Sequence, residues 1–255
     1  MNQKISILGC GWLGKALAIE LLNKQYSVKG STTSPEKISA LKSVGLEPFV
    51  VDISKSANDN AEFLNTDILI IPITSKNSAD FSNLITQIEK ANITKVIFIS
   101  STSVYPNTNG AVTEETPTKP TGLSEIEKLF TTNTLFKATI IRFGGLFGYN
   151  RKPGNFIKPG KEIENPEGYI NFIHRDDCIQ IIEQIISTNS WGQTLNACTD
   201  SHPKRREFYK KEMSKADKPA PQFNEESANA YKIVNSEKLK TLLNYEFKYA
   251  NLMEY

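Results

Sequence analysis

Gly9-Cys10-Gly11-Trp12-Leu13-Gly14 places three glycines in the spacing G-x-G-x-x-G. The apolar run Ile5-Ser6-Ile7-Leu8 before it reads as a strand, and Lys15 to Leu22 after it reads as a helix. Between a strand and a helix each glycine has a task. The first permits a tight turn, the second lets the backbone approach a pyrophosphate, and the third lets the helix pack closely on the strand. The helix start, with Trp12 and Leu13, would then present free N–H groups and a partial positive charge to the phosphates. This is binding chemistry for a dinucleotide; the alternative is a glycine-rich turn that holds nothing.

A second cluster bears on which dinucleotide. An acid that hydrogen-bonds the ribose 2′-hydroxyl of NAD is expected about 20 residues past the glycine loop, at the end of the second strand. That region reads Lys29-Gly30-Ser31-Thr32-Thr33-Ser34, without Asp or Glu. The hydroxyls of Ser31, Thr32 and Thr33, with Lys37 or Lys29 nearby, could instead accept a 2′-phosphate. NADP is therefore expected in preference to NAD. The competing reading is that these hydroxyls cap the next helix, as Ser34 is expected to do ahead of Pro35.

The elements that must position these groups alternate along the chain. Strands are expected at Ile5–Leu8, Ser27–Ser31, Glu47–Val51, Ile68–Ile73, Lys95–Ser100 and Ala138–Phe143. Helices are expected at Lys15–Asn23, from Ser34 onward, at Phe81–Ala91 and at Glu125–Thr131. Continuously apolar strands separated by helices indicate a parallel sheet covered on both faces. After Gly148 the regularity fades. Residues 150–168 read as a long loop, Asp176–Ser187 as a helix, Gln193–Ala197 as a strand, His202–Ala216 as a polar helix, and Ser236–Leu243 as a last helix capped by Ser236. The expected fold class is α/β, a doubly wound parallel sheet of Rossmann type with a smaller C-terminal substrate-side lobe. The cofactor-binding part is assigned to 1–148 and the lobe to 149–255, partly interleaved.

Composition narrows the setting. With 39% hydrophobic and 23% charged residues, a chain of 255 residues can bury a substantial core. A net charge of +2 gives no reason to expect nucleic acid or an anionic membrane as partner. Lys204-Arg205-Arg206 reads as a solvated face. Cys10, Cys178 and Cys198 lack metal-ligand spacing and cannot all pair, which fits a reducing compartment. No secretory leader and no membrane-length apolar run are visible. The expectation is a cytoplasmic protein, monomer or homodimer, with a small-molecule substrate.

Five segments in order carry a family likeness: Gly9–Gly14, Val51-Asp52, Ser100-Ser101-Thr102-Ser103-Val104-Tyr105, Arg142 to Gly148 (R-F-G-G-L-F-G), and Asn171 to Asp177 (N-F-I-H-R-D-D). The chain resembles the short-chain dehydrogenase/reductase superfamily, most of all an atypical subgroup of its NAD-dependent epimerase/dehydratase branch. The resemblance spans nearly the whole chain. It implies that Asp52 and Ile53 lie near the adenine and that Pro72 lies against the cofactor. It implies that Ser100, at the end of the fifth strand, borders the cofactor, and that Ser101 stands at the catalytic Ser/Thr position. It implies that Gly144 to Phe147, Leu146 among them, line the nicotinamide side, and that His174 with Asp177 closes the substrate half.

The chain departs from the family where its chemistry sits. The family's Y-x-x-x-K pair exchanges a proton with the substrate and holds the nicotinamide ribose. Here Thr121 stands in place of the tyrosine and Glu125 in place of the lysine. Three residues are candidate replacements, each with a structural alternative. Tyr105 is a proton donor or a packing aromatic. Ser101 orients a carbonyl or caps a turn. His174 is an acid–base group or a structural hydrogen bonder. Asp176 and Asp177 are expected to cap the helix after His174. The expected activity is that of an oxidoreductase or epimerase on a small polar, sugar-like substrate; the alternative is a non-catalytic NADP(H)-binding regulatory or redox-sensing protein.

Overall fold

The computed structural model describes residues 3–55, 60–158 and 160–255. Strand β1 (Lys4–Ile7) runs through the glycine loop into α1 (Trp12–Asn23). Then follow β2 (Ser27–Thr32), α2 (Ile38–Lys42), β3 (Glu47–Val50), α3 (Ala61–Leu64), β4 (Ile68–Ile71), α4 (Ser78–Lys90) and β5 (Lys95–Ser101). The middle of the chain holds β6 (Gly110–Val112), α5 (Gly122–Thr131), β7 (Lys137–Phe143), β8 (Gly145–Phe147) and β9 (Phe172–His174). The last elements are α6 (Arg175–Ser187), β10 (Thr194–Ala197), α7 (Arg205–Lys215), β11 (Lys232–Val234) and α8 (Glu237–Leu243).

The central sheet has seven strands in the order β10-β7-β5-β4-β1-β2-β3. Strand β1 pairs in parallel with β2 on one side and β4 on the other, so the strand order reverses at β1. That is the switch point at which open α/β sheets bind ligands. The fold is the Rossmann type that the alternation of elements predicts. Short three-residue strands β6, β8, β9 and β11 are additions to that reading. Each is too short to show a period-two pattern, and only a partner far along the chain makes it a strand.

By its internal contacts the chain forms two compact units. One comprises Met1–Ser100, Pro120–Ile141 and Ile182–Thr194; the other comprises Ser101–Lys119, Arg142–Ile181 and Leu195–Tyr255. The first is built on β4, whose four residues are all buried, as a strand covered on both faces requires. Phe98 stacks on Phe130 with ring centroids 4.9 Å apart, and Phe81 sits edge-on to both. The second unit packs Phe147, Ile163, Ile170, Phe208, Tyr209 and Leu252 together. Among the described residues no helix is long and apolar enough to cross a membrane.

Three local expectations are corrected. Ser34 stands at the start of its helix, but its side chain makes no cap; its N–H donates to Thr32 Oγ1, and the first turn, Pro35–Lys37, is a 3-10 turn. Ser236 precedes α8 without capping it, because its hydroxyl bridges the N–H and the carbonyl of Cys198. Helix α7 begins at Arg205 rather than His202, since the Ile170 N–H donates to the Pro203 carbonyl and holds that stretch outside the helix. The basic run at its start is paired: Lys204 and Arg206 both reach Glu167, and Arg206 also grips Glu225.

Candidate functional site

The glycine loop is built within the first unit. Gly9 has φ +104°, a conformation that L side chains rarely adopt, and a Cβ there would lie 2.5 Å from Ile73 Cγ2. At Gly14 a Cβ would lie 2.2 Å from the Gly9 carbonyl oxygen and 3.2 Å from Pro72 Cγ. Gly11 differs: nothing lies within 4 Å of a Cβ there, and the residue is exposed. Packing accounts for Gly9 and Gly14. It does not account for Gly11, whose bare face leaves the backbone open to a ligand. Gly11 also stands at the start of α1 as a cap residue without a side chain, so the backbone of the first helical turn, at Trp12 and Leu13, adjoins that open face. Leu13 itself is buried, and any contact it makes with a ligand comes through its backbone.

Ser31, expected at the 2′-phosphate, is buried, and its Oγ accepts the Gly9 N–H at 3.0 Å. Its carbonyl accepts the Cys10 N–H at 2.7 Å. It therefore shapes the glycine loop from beneath. Thr32 Oγ1 is engaged by the Ser34 N–H, which leaves Thr33 as the exposed hydroxyl of the three. Of the two candidate cations, Lys29 is engaged: its ammonium donates to the Glu62 and Asn65 carbonyls at the end of α3. Lys37 is exposed. Cys10 has its thiol pushed up to about 11, mainly by burial, so the loop carries no ready thiolate.

Asp52 follows β3, and its carboxylate accepts the N–H and the hydroxyl of Ser54 at 3.1 and 2.7 Å. Those bonds hold it below the usual carboxylate range. Ile53 and Pro72 are both half-buried. Ser100 donates its hydroxyl to the Glu127 carboxylate, and both are buried. Glu127 escaped the sequence reading, although a signal existed: an acid at the spacing of the apolar face Leu123, Ile126, Phe130 must have a partner. Thr121 caps α5 in a reciprocal capping box with Ser124, and Glu125 is exposed. At Gly122 a Cβ would lie 2.7 Å from the Lys76 carbonyl, so the loop after β4 closes tightly on this helix start.

The substrate-side candidates lie in the second unit. Tyr105 is fully buried. Its hydroxyl accepts from Arg142 Nη1 at 2.6 Å and donates to Asn196 Oδ1 at 2.8 Å. Burial raises its pKa, and the Arg142 charge only partly offsets this. The hydroxyl ties β7 to β10 inside the unit. Ser101 is half-buried, and its Oγ accepts the Ser103 N–H at 3.1 Å, which leaves its own hydrogen free to donate. Gly144 is buried against the Asn171 carbonyl, while Leu146 on β8 is half-buried.

His174 is buried, with Nδ1 accepting the Asp176 N–H at 3.2 Å and its ring 3.7 Å from that of Tyr249. A ring nitrogen that accepts is unprotonated. Burial lowers the pKa despite the Asp176 carboxylate 3.8 Å away. His202 is lowered by burial as well. Both histidines therefore bind fewer protons folded than unfolded between the ordinary value of 6.5 and their depressed folded values. Stability should be full above that window and should fall as pH falls through it. The thermal midpoint is expected to be lower at pH 5.5 than at pH 7.5, with a shallower slope in His174→Gln. An unchanged slope in that variant would mean that His174 is not the buried neutral group.

Asp176 and Asp177 stand in the first turn of α6, where acids favour the helix dipole, and their carboxylates are held by partners beyond the helix. Asp177 is fully buried and accepts the Tyr245 hydroxyl at 2.7 Å and the N–H groups of Lys248 and Tyr249. Asp176 accepts the hydroxyls of Tyr149 and Tyr249. Through Tyr245, Lys248 and Tyr249 the pair latches the last stretch of chain onto α6, a role no local pattern reveals because these donors lie some 70 residues away.

A family model described as NAD(P)H-binding matches residues 9–188. The chain belongs to this NAD(P)H-binding family. Among curated proteins, this family member is similar to protein YeeZ of Escherichia coli, at 28% identity over 97% of this chain and 96% of that one. Among solved structures it is similar to a proposed NAD-dependent epimerase/dehydratase from Methylobacillus flagellatus, with TM-score 0.82 and 20% identity over 100% of this chain and 96% of that one. It is also similar to UDP-glucuronic acid 4-epimerase from Bacillus cereus in complex with NAD, with TM-score 0.74 and 20% identity over 98% of this chain and 95% of that one. At that identity the structures share the epimerase/dehydratase fold.

Proposed function

We propose that this NAD(P)H-binding protein takes NADP(H) at the glycine loop, in the manner of an atypical short-chain dehydrogenase/reductase. The observation that carries the reading is Gly11: exposed, with nothing among the described residues within 4 Å of a Cβ there. The pyrophosphate would rest on the glycine loop, at the positive end of the α1 dipole. Asp52 and Ile53 would flank the adenine, with Pro72 against the cofactor. Thr33 and Lys37 would receive the 2′-phosphate, because no acid is present to repel it and Lys29 is engaged elsewhere. When bound, the nicotinamide supplies hydride exchange.

The activity proposed is that of an oxidoreductase or epimerase on a small polar, sugar-like substrate. Ser101, with a hydroxyl hydrogen still to give, orients the substrate oxygen. Gly144 and Leu146 belong to the nicotinamide side. A second reading, a non-catalytic NADP(H)-binding regulatory or redox-sensing protein, is favoured by the enclosure of Tyr105 and His174 and by Thr121 acting as a helix cap. Either way the protein is placed in the cytoplasm as a monomer or homodimer, with small molecules rather than nucleic acid or membrane as partners.

Thermal shifts with NADPH and NADH in parallel test the cofactor assignment. A ligand at about 100 times its Kd stabilises the fold by about 2.7 kcal/mol, which is easily read. NADPH should give the larger shift, and Lys37→Ala should remove most of the difference. Equal shifts, or a preference for NADH, would overturn the phosphate assignment. NADPH consumption across a panel of small carbonyl substrates then separates enzyme from sensor.

A further inference from the structure

The first unit carries a cavity of about 430 Å³ at the end of the sheet opposite the glycine loop. The glycine loop follows the carboxyl end of β1. Because β1, β4 and β5 are parallel, Lys95 at the start of β5 lies at the opposite end. Lys95, Leu135, Phe136, Lys137, Asn189 and Trp191 are among the residues that form its walls. The Lys137 N–H donates to the Thr94 carbonyl at 2.9 Å and fixes the two strand starts side by side.

Four features of this cavity point to a ligand. Its volume falls in the range of small-molecule sites, roughly 300–1,000 Å³. The Trp191 indole is held in one orientation by its N–H, which donates to Asn189 Oδ1 at 2.7 Å. Leu135 is 66% exposed, a large apolar side chain without cover. The Lys95 ammonium stands 5.3 Å from the centre of the Trp191 ring. Lys137 is also exposed, no acidic residue lines the cavity, and neither lysine has a carboxylate partner among the described residues. A flat apolar wall beside two unneutralised cations suits a ligand with a ring at one end and an acid group at the other.

We propose that this cavity is a binding site for a small aromatic anion, separate from the glycine loop. The ring lies against Trp191 and Leu135, and the carboxylate or sulfonate sits between Lys95 and Lys137. Ring contact supplies the apolar part of the affinity, and charge-assisted hydrogen bonds supply selectivity for the anion.

Isothermal titration of the full chain with 2-naphthoate, and with 2-naphthol as its uncharged counterpart, tests this. One naphthoate is expected to bind, with 2-naphthol at least about tenfold weaker, since the neutral hydroxyl forgoes the charge-assisted bonds to the lysines. The double variant Lys95→Ala/Lys137→Ala should weaken naphthoate by a similar factor. Leu135→Ser, a change at an exposed position, should weaken both probes. Gly11→Val should leave naphthoate binding intact, because the two sites are at opposite ends of the sheet. Absence of binding at millimolar naphthoate, equal binding of 2-naphthol, or binding unaffected by the lysine changes would overturn the proposal. Loss of binding in Gly11→Val would assign the anion to the glycine loop instead.

Discussion

Gly11→Val is expected to reduce NADPH binding by about a hundredfold or more while leaving the thermal midpoint of the free protein nearly unchanged. The two halves of that expectation come from different facts. Nothing lies within 4 Å of a Cβ at residue 11, and its φ of −77° suits any residue, so the protein tolerates the side chain. A branched side chain on that open face would keep a pyrophosphate from the loop and the first turn of α1. Losing two charge-assisted bonds of about 1.5–3 kcal/mol each corresponds to about a hundredfold or more in affinity. Gly14→Ala is the control with the opposite signature. Its Cβ would stand 2.2 Å from the Gly9 carbonyl oxygen, a backbone atom that cannot rotate away. Overpacking of that kind costs about 1–3 kcal/mol, a fall of several degrees in midpoint for a chain of this size. Differential scanning fluorimetry with and without NADPH reads both quantities. Normal NADPH binding by Gly11→Val would remove the cofactor from this loop.

Tyr105→Phe should lower stability by about 2 kcal/mol and leave NADPH affinity within about twofold. The hydroxyl is buried between Arg142 and Asn196, and removing it takes the donor from Asn196 Oδ1 and the acceptor from one Arg142 N–H. A buried polar group that loses its partner costs about 1–3 kcal/mol. Were Tyr105 instead a proton donor to substrate, Phe would abolish turnover with little effect on unfolding. Urea unfolding of the two proteins, read beside NADPH titrations, decides between these outcomes. Asn196 is itself anchored, its N–H donating to Glu114 Oε1 at 2.7 Å and its amide to the Asn235 carbonyl. The hydroxyl is thus the centre of a chain of bonds linking four segments, and the loss should be felt as stability.

The local arithmetic of the chain determined a good deal. Glycine spacing between an apolar run and a helical one located the loop, and runs such as Ile68–Ile71 identified strands buried on both faces. The absence of Asp and Glu from Lys29 to Ser34, and the presence of Thr121 and Glu125 at the start of the helix after β5, are properties of the sequence alone. Side-chain assignments fared differently, because a hydroxyl or a carboxylate takes the best partner that tertiary packing offers. Ser31 turned from ligand candidate to support for Gly9, Ser236 from cap to clasp on Cys198, and Asp177 from cap to latch. In each case the competing partner lies 22 residues or more away along the chain, beyond the reach of any periodicity or capping rule.

Tertiary structure alone also separated the three loop glycines, which look alike in sequence. A side chain at Gly9 is excluded by Ile73 and one at Gly14 by the Gly9 carbonyl, whereas among the described residues nothing within 4 Å excludes one at Gly11. Sequence fixes which residue types are available and the order in which strands and helices form, since both depend on neighbours a few positions apart. Packing decides which polar atoms remain free for a ligand, because that depends on what the rest of the chain brings alongside.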